Sequence, residues 1–248
     1  MVNDYDKFAK ERQEKLLKGE TKPHRFSEKP MMRSMLPSLK GKRVLMLGCG
    51  TGEESRLLKE FEATDITGMD ISSESIKIAK ETYPDVEFIV GDMHDLPFEE
   101  SSFDFVYSSL AIHYSGDPKS VYQNIYRILK PGGFLLFSVG HPLRWASEHM
   151  VVDDVEYIIT GYAYPSSENR VFGNYNTLAC HDHYFSNGEV LSFYVGSPSL
   201  HFKLLRESGF SIEDFKESIC IDEAKDYDYN YWVKNHEIPQ FMAFLAKK

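Results

Sequence analysis

Between residues 43 and 52 the chain reads Arg-Val-Leu-Met-Leu-Gly-Cys-Gly-Thr-Gly, an apolar run that stops in three alternating glycines, and Glu53-Glu54-Ser55-Arg56-Leu57-Leu58 then reads as a helix. A buried strand that turns tightly into a helix exposes backbone N–H groups at its carboxyl end, and glycine lets a ligand approach that backbone closely. The turn is therefore expected to seat a nucleotide-like cofactor. Its spacing, Gly48-x-Gly50-x-Gly52, lacks the glycine three residues after the second that a dinucleotide fingerprint needs, so NAD is not the first choice.

The runs that follow repeat the pattern. Ile66-Thr67-Gly68-Met69 ends in Asp70, about 20 residues beyond the glycines, where a strand-end carboxylate can accept both hydroxyls of a ribose. Val86-Glu87-Phe88-Ile89-Val90 ends in Gly91-Asp92-Met93, Phe103-Asp104-Phe105-Val106-Tyr107 is a fourth run, and Lys130-Pro131-Gly132-Gly133 leads into a fifth, Phe134 to Val139. Helical periodicity at 53–60, 73–81 and 118–129 separates them, and strand alternating with helix predicts a doubly wound, mostly parallel sheet whose strands end on one edge.

At the amino end, 4–18 reads as a charged amphipathic helix, and Lys29-Pro30-Met31 opens another with proline in its first turn. From His141 to Pro198 aromatics, Gly, Asn and Ser interleave with short β-like runs at 155–160, 181–185 and 190–195; then 199–208 reads as a helix, and 212–218 and 241–245 as closing strands. This gives one domain in four parts: a helical lid at 1–40, a cofactor-binding core at 41–140, a β-rich inserted cap at 141–198, and a closing segment at 199–248.

Leu47-Gly48-Cys49-Gly50-Thr51-Gly52, Asp70-Ile71-Ser72, Gly91-Asp92-Met93 with Leu96-Pro97-Phe98, Phe103-Asp104, and Leu129-Lys130-Pro131-Gly132-Gly133, in that order, resemble the class I S-adenosylmethionine-dependent methyltransferases over residues 43–139. The resemblance implies a Rossmann-like seven-stranded sheet closed by an antiparallel hairpin, with the insertion at 141–198 as a substrate cap, S-adenosylmethionine as cofactor and S-adenosylhomocysteine as product. It also implies roles. Gly48 and Gly50 would lie under the methionine part of the cofactor, Asp70 would bind the ribose, Asp92 and the Met93 backbone would read the adenine, and Ser109 and Leu110 would face the sulfonium, with Cys49, Gly52 and Ile71 also in the cofactor site. One departure stands out: Met46 occupies the position where many members carry an aspartate in the first strand.

Composition narrows the partners. A chain of 248 residues can bury one substantial core, and no Pro/Gly/Ser-rich linker divides it. The net charge is −10 without a basic stripe, so a phosphate backbone would bind against the overall field, which argues against nucleic acid. Three scattered cysteines, Cys49, Cys180 and Cys220, make neither a disulfide framework nor a zinc site. His181 and His183 share one face of a predicted strand, but no further ligand joins them, and no metal is expected. Met1 leads straight into charged residues and no apolar stretch is long enough to span a bilayer, giving the expectation of a soluble cytoplasmic protein without membrane contact.

A sulfonium activates its own methyl group for in-line attack, so the protein need only align two partners, exclude water and, for some acceptors, take up a proton. His113 and His141 follow the fourth and fifth strands and are the candidate bases, each with a structural reading beside it: a hydrogen-bonded residue by the cofactor for His113, a turn-former before Pro142 for His141. Tyr5, Tyr114, Trp145 and His183 are the candidate substrate contacts. Tyr227, Tyr229, Tyr231 and Trp232, set among acids, read either as a lid or as a solvated loop packing on the cap. The expected activity is methyl transfer to a small molecule. The competing readings are RNA or protein methylation with a partner, and a cofactor-binding protein without catalysis.

Overall fold

The computed structural model describes residues 9, 13–14, 21–163, 170–184 and 190–248, with the side chains of 183 and 184 excepted. Strands β1 (Arg43–Leu47), β2 (Asp65–Asp70), β3 (Glu87–Val90), β4 (Phe103–Ser108) and β5 (Leu129–Gly140) are linked through helices α2 (Glu54–Glu60), α3 (Ser73–Thr82) and α4 (Pro118–Ile128), preceded by α1 (Lys29–Met35). Among the later elements are α6 (Pro198–Glu207), β12 (Ser211–Glu217) and β13 (Phe241–Lys247). The main sheet has seven strands in the order β12-β13-β5-β4-β1-β2-β3, with β1 to β5 parallel and β13 antiparallel both to β5 and to β12. The residue pattern predicts the parallel part of this sheet and its two closing strands, and the family resemblance implies the antiparallel hairpin that they form.

Apolar side chains that alternate along each strand build a core on both faces, as a sheet covered by helices on both sides requires. From β1, Val44 and Met46 join Met31, Met32, Met35 and Tyr107 on one side, while Leu45 and Leu47 join Val106, Tyr122 and Phe137 on the other. The three α1 methionines are thus part of the core. Ser72 and Asp117 cap α3 and α4 by accepting the backbone N–H of Ser75 and Ser120, which sets where each helix leaves the strand edge.

The segment after β5 opens with the short helix α5 (Pro142–Trp145) and continues in three antiparallel ribbons: β6 (Glu148–Val152) with β7 (Val155–Ile159), β8 (Gly161–Ala163) with β9 (Arg170–Phe172), and β10 (Ala179–Tyr184) with β11 (Val190–Val195). Strand β6 and the β8–β9 ribbon carry little apolar alternation and are not legible in the sequence. Residues 223–237 correct the loop reading. They form α7 (Glu223–Tyr227) and α8 (Tyr229–Glu237), with Asp228 capping α8 by accepting the Tyr231 backbone N–H at 2.9 Å. Tyr231 packs with Phe26, Cys220 and Ala224 against the amino-terminal segment and not on the cap. Its ring leaves solvent because helical spacing turns it inward, where its hydroxyl donates to Gln240 Oε1 at 2.9 Å.

Candidate functional site

Strand β1 ends at Gly48, Gly50 and Gly52, whose φ angles are +67°, +51° and +82°. A Cβ on Gly48 would lie 2.2 Å from the Ala111 Cβ, so only glycine lets the turn pass beneath the end of β4; a Cβ on Gly50 would meet nothing within 4 Å and faces open space. The Gly48 and Cys49 N–H groups donate to Met69 O at 2.8 and 3.0 Å, stitching the turn to β2. At the end of β2, Asp70 is locked between two backbone donors, with Gly50 N–H to Oδ2 at 2.8 Å and Ser72 N–H to Oδ1 at 2.9 Å. Ile71 follows it at the same corner. The sequence pairs the glycines with Asp70 as halves of one seat, and the structure joins them directly.

One strand further out, Asp92 accepts from the His94 backbone N–H at 2.9 Å and lies 2.8 Å from His94 Nδ1, while His94 Nε2 reaches Ser115 Oγ at 2.8 Å. Burial raises the Asp92 carboxyl, but the His94 hydrogen bonds and charge outweigh it and hold the group below its usual range. Met93 comes next along the same edge.

At the end of β4, Ser109 Oγ donates to Glu28 Oε1 at 2.9 Å, and Ser138 Oγ of β5 donates to the same oxygen at 2.6 Å. Ser138 Oγ in turn accepts the Leu110 N–H at 3.1 Å, which supports Leu110 at a φ of +48°, a left-handed conformation that a leucine rarely adopts. Between these strand ends lies a cleft lined by Met46, the Leu47–Cys49 turn, Thr51, His24, Glu53, Glu54, Tyr107 and Ser109.

The wall opposite the glycines is acidic. Lys29 Nζ lies 2.8 Å from Glu53 Oε1 and 3.4 Å from Glu54 Oε1, and the Tyr107 hydroxyl donates to Glu54 Oε2 at 3.2 Å. Glu28 is fully buried: burial, then the Glu54 charge, pushes its carboxyl up to about 7 despite the two serine hydroxyls. Burial likewise raises Glu54 against the pull of Lys29. Met46 sits opposite Tyr107 in the β1–β4 register, so the acids of this cleft come from α2 and the amino-terminal segment and not from β1. Sequence reading missed His24 and Glu28. The signal available was a histidine and a glutamate four residues apart, on one helical face just before the apolar α1.

The remaining candidates separate. His113 lies in a single 3-10 turn, Ile112–Tyr114, its ring 4.4 Å from that of Tyr114 and 5.9 Å from that of Phe193 on the cap. Trp145 meets the other side of Phe193 edge-on at 5.5 Å and donates its indole N–H to Gln240 O. His141 is not brought to the cleft. It is buried, its Nδ1 accepts the Leu143 N–H as the cap of α5, and its Nε2 is 2.8 Å from Glu217 Oε1, so both ring nitrogens are occupied in shaping the turn and the base reading gives way to the structural one. Burial lowers its pKa, against the Glu217 charge. Tyr5 lies outside the described residues, as does the side chain of His183, whose backbone pairs with Leu191. Among the described residues no three potential ligands gather into a metal site, and no helix is long and apolar enough to cross a membrane.

Comparison with known proteins gives concordant findings. A family described as "Methyltransferase domain" matches residues 45–137. An uncharacterized protein of Haemophilus influenzae is 32% identical over 185 residues, 68% of this chain and 72% of that one. The demethylmenaquinone methyltransferase of Thermotoga maritima is 41% identical over 95 residues, 38% of this chain and 42% of that enzyme, so the chain spans about two fifths of this relative. Among solved structures, an S-adenosylmethionine-dependent methyltransferase from Mesorhizobium loti superposes with a TM-score of 0.70 at 26% identity, covering 89% of this chain and 97% of that one.

Proposed function

Because the chain belongs to the class I S-adenosylmethionine-dependent methyltransferases, we propose that it transfers the methyl group of S-adenosylmethionine to a small-molecule acceptor by in-line displacement. The observation that carries this reading is the junction of the positive-φ glycine turn with Asp70, a carboxylate locked by two backbone N–H groups beside a backbone that faces open space. Such a carboxylate keeps acceptor capacity for two ribose hydroxyls, since each oxygen offers more than one lone pair. The residues present fit the group: Asp70 and Ile71 would hold its sugar, Asp92 and Met93 its adenine, and the Gly48–Gly52 turn with Ser109 and Leu110 its amino-acid end. When bound, the sulfonium supplies an already activated methyl group.

The chain's own share is alignment and exclusion of water. His113, Tyr114 and Trp145 stand between the sheet edge and the cap strand β11, so they would form the wall against which an acceptor is oriented. A small acceptor is supported by the acidic balance of the chain, and one relative is itself named for a small molecule, demethylmenaquinone. Three free thiols, one exposed, suit a reducing compartment such as the cytoplasm.

Titration calorimetry tests the reading. S-adenosylmethionine and S-adenosylhomocysteine should both bind and NAD should not, and radiolabelled methyl should pass to a component of a metabolite extract. Binding of NAD with no response to S-adenosylhomocysteine at millimolar concentration would overturn it.

A further inference from the structure

His24 lines the cleft and Glu28 lies fully buried next to it, and neither is among the proposed cofactor contacts. They occupy successive turns of a short π-helical segment, His24–Glu28, which runs into α1. The His24 ring borders the cleft beside Gly48 and Ser109, and its Nδ1 lies 3.3 Å from Glu28 Oε2. The other Glu28 oxygen is fixed by Ser109 Oγ from β4 and Ser138 Oγ from β5. One carboxylate is thereby tied to two strand ends and set within ion-pair distance of an imidazole that borders the cleft and whose ring nitrogens are buried. A buried carboxyl is costly to the fold unless it is given work, and two serine hydroxyls on a single oxygen leave the second facing the histidine.

We propose that His24 is the catalytic base for the methyl acceptor and that Glu28 is the positioning residue that orients its ring and stabilises its protonated form. The proposal rests on the methyltransferase reading above and narrows its substrate: the acceptor attacks through an oxygen, nitrogen or sulfur that carries a proton. As that atom bonds to the methyl carbon its bond to hydrogen breaks, and the proton goes to His24 Nε2 while Nδ1–H stays directed at Glu28. The bond from methyl carbon to sulfur breaks with its electron pair left on sulfur. The proton is then released from the imidazolium to solvent as the products leave the cleft.

The charged neighbours are compatible with this role. Glu28 faces His24, Lys29 and Glu54, while the cleft wall near His24 carries Glu53, Glu54 and the Tyr107 hydroxyl; Lys29 is the one cation among them. An excess of carboxylates favours the imidazolium that proton uptake creates.

The test uses the full chain labelled with 13C-histidine and saturated with S-adenosylhomocysteine. In Glu28→Gln, which keeps the shape and the serine contacts, the NMR titration midpoint of His24 should fall by about one unit or more, because an opposite charge within contact distance has been removed; an unchanged midpoint overturns the pairing. In His24→Asn, calorimetric affinities for S-adenosylhomocysteine and for 5′-methylthioadenosine, which lacks the amino-acid end, should both match the wild type, while methyl transfer to the extract component identified above should slow roughly 100-fold or more. A loss of roughly tenfold or more confined to S-adenosylhomocysteine would show instead that His24 holds the cofactor's amino-acid end, and would overturn the base. Failure of the wild type itself to bind S-adenosylhomocysteine would strike the parent reading and not this one.

Discussion

The sheet edge at residues 43–139 and the cap at 141–198 face one another but are stabilised in opposite ways. Every β1 residue from Val44 to Leu47 is buried on one face of the sheet or the other. The cap ribbons leave Val151 70%, Tyr162 69% and Val171 73% exposed. A parallel sheet buried on both sides fixes its strand ends to within the reach of a hydrogen bond, and this is what a cofactor seat requires. Two-stranded ribbons bury little of their own surface, so their position depends on the few side chains that reach the core. In this molecule those include Phe193, between His113 and Trp145. On the proposed reading, cofactor recognition would rest on the backbone of one region and acceptor recognition on the sparse contacts of the other.

Four substitutions or titrations probe that contrast, beginning with the largest effect. Phe137 is fully buried in β5, stacked on Phe244 at 5.1 Å and touching Tyr122 at 5.3 Å, so Phe137→Ala should cost about 3–5 kcal/mol in urea denaturation. A loss under about 1 kcal/mol there would mean that the core is no stiffer than the cap.

The second prediction concerns pH. Burial lowers His201 to about 4, with Nδ1 hydrogen-bonded to the Tyr122 hydroxyl at 2.7 Å. The unfolded chain protonates this histidine near 6.5 while the folded one does not, so its contribution is complete above 6.5 and is lost as the pH falls from there to about 4. The loss amounts to about 3 kcal/mol. Denaturation midpoints of wild type and His201→Gln across that range should therefore converge as acid is added, and parallel curves would contradict the assignment.

Third, Asp70→Ala removes a charged partner of the ribose and should weaken S-adenosylhomocysteine by about 1.5–3 kcal/mol in calorimetry. Its effect on thermal stability should be small beside that of Phe137→Ala. The smallest effect belongs to the cap: Phe193→Ala should lower stability by about 1 kcal/mol or less and leave S-adenosylhomocysteine affinity unchanged. A matching loss of cofactor affinity would show that the two regions are energetically one.

The same contrast explains what could be read from the sequence. The glycine turn, Asp70 and the alternation of strand and helix follow from local rules, since glycines at positive φ and apolar runs of strand length carry their meaning within a few residues. Glu28 could not be read this way. Its partners Ser109 and Ser138 are 81 and 110 residues away, and nothing near Glu28 in the chain announces them. His141 is a related case: its place after β5 is visible in sequence, but its engagement with Glu217, 76 residues on, appears only once the hairpin closes. The tyrosine-rich segment at 227–232 was masked by its acids, one of which, Asp228, is the cap that starts the helix.

A crystal structure of the chain with S-adenosylhomocysteine tests the central claim most directly. The account predicts the ribose hydroxyls on the Asp70 carboxylate and the sulfur beside Ser109 at the end of β4. Asp70 turned away from the ligand, or a ligand seated elsewhere with the cleft between Gly48 and Glu54 closed by side chains, would contradict it.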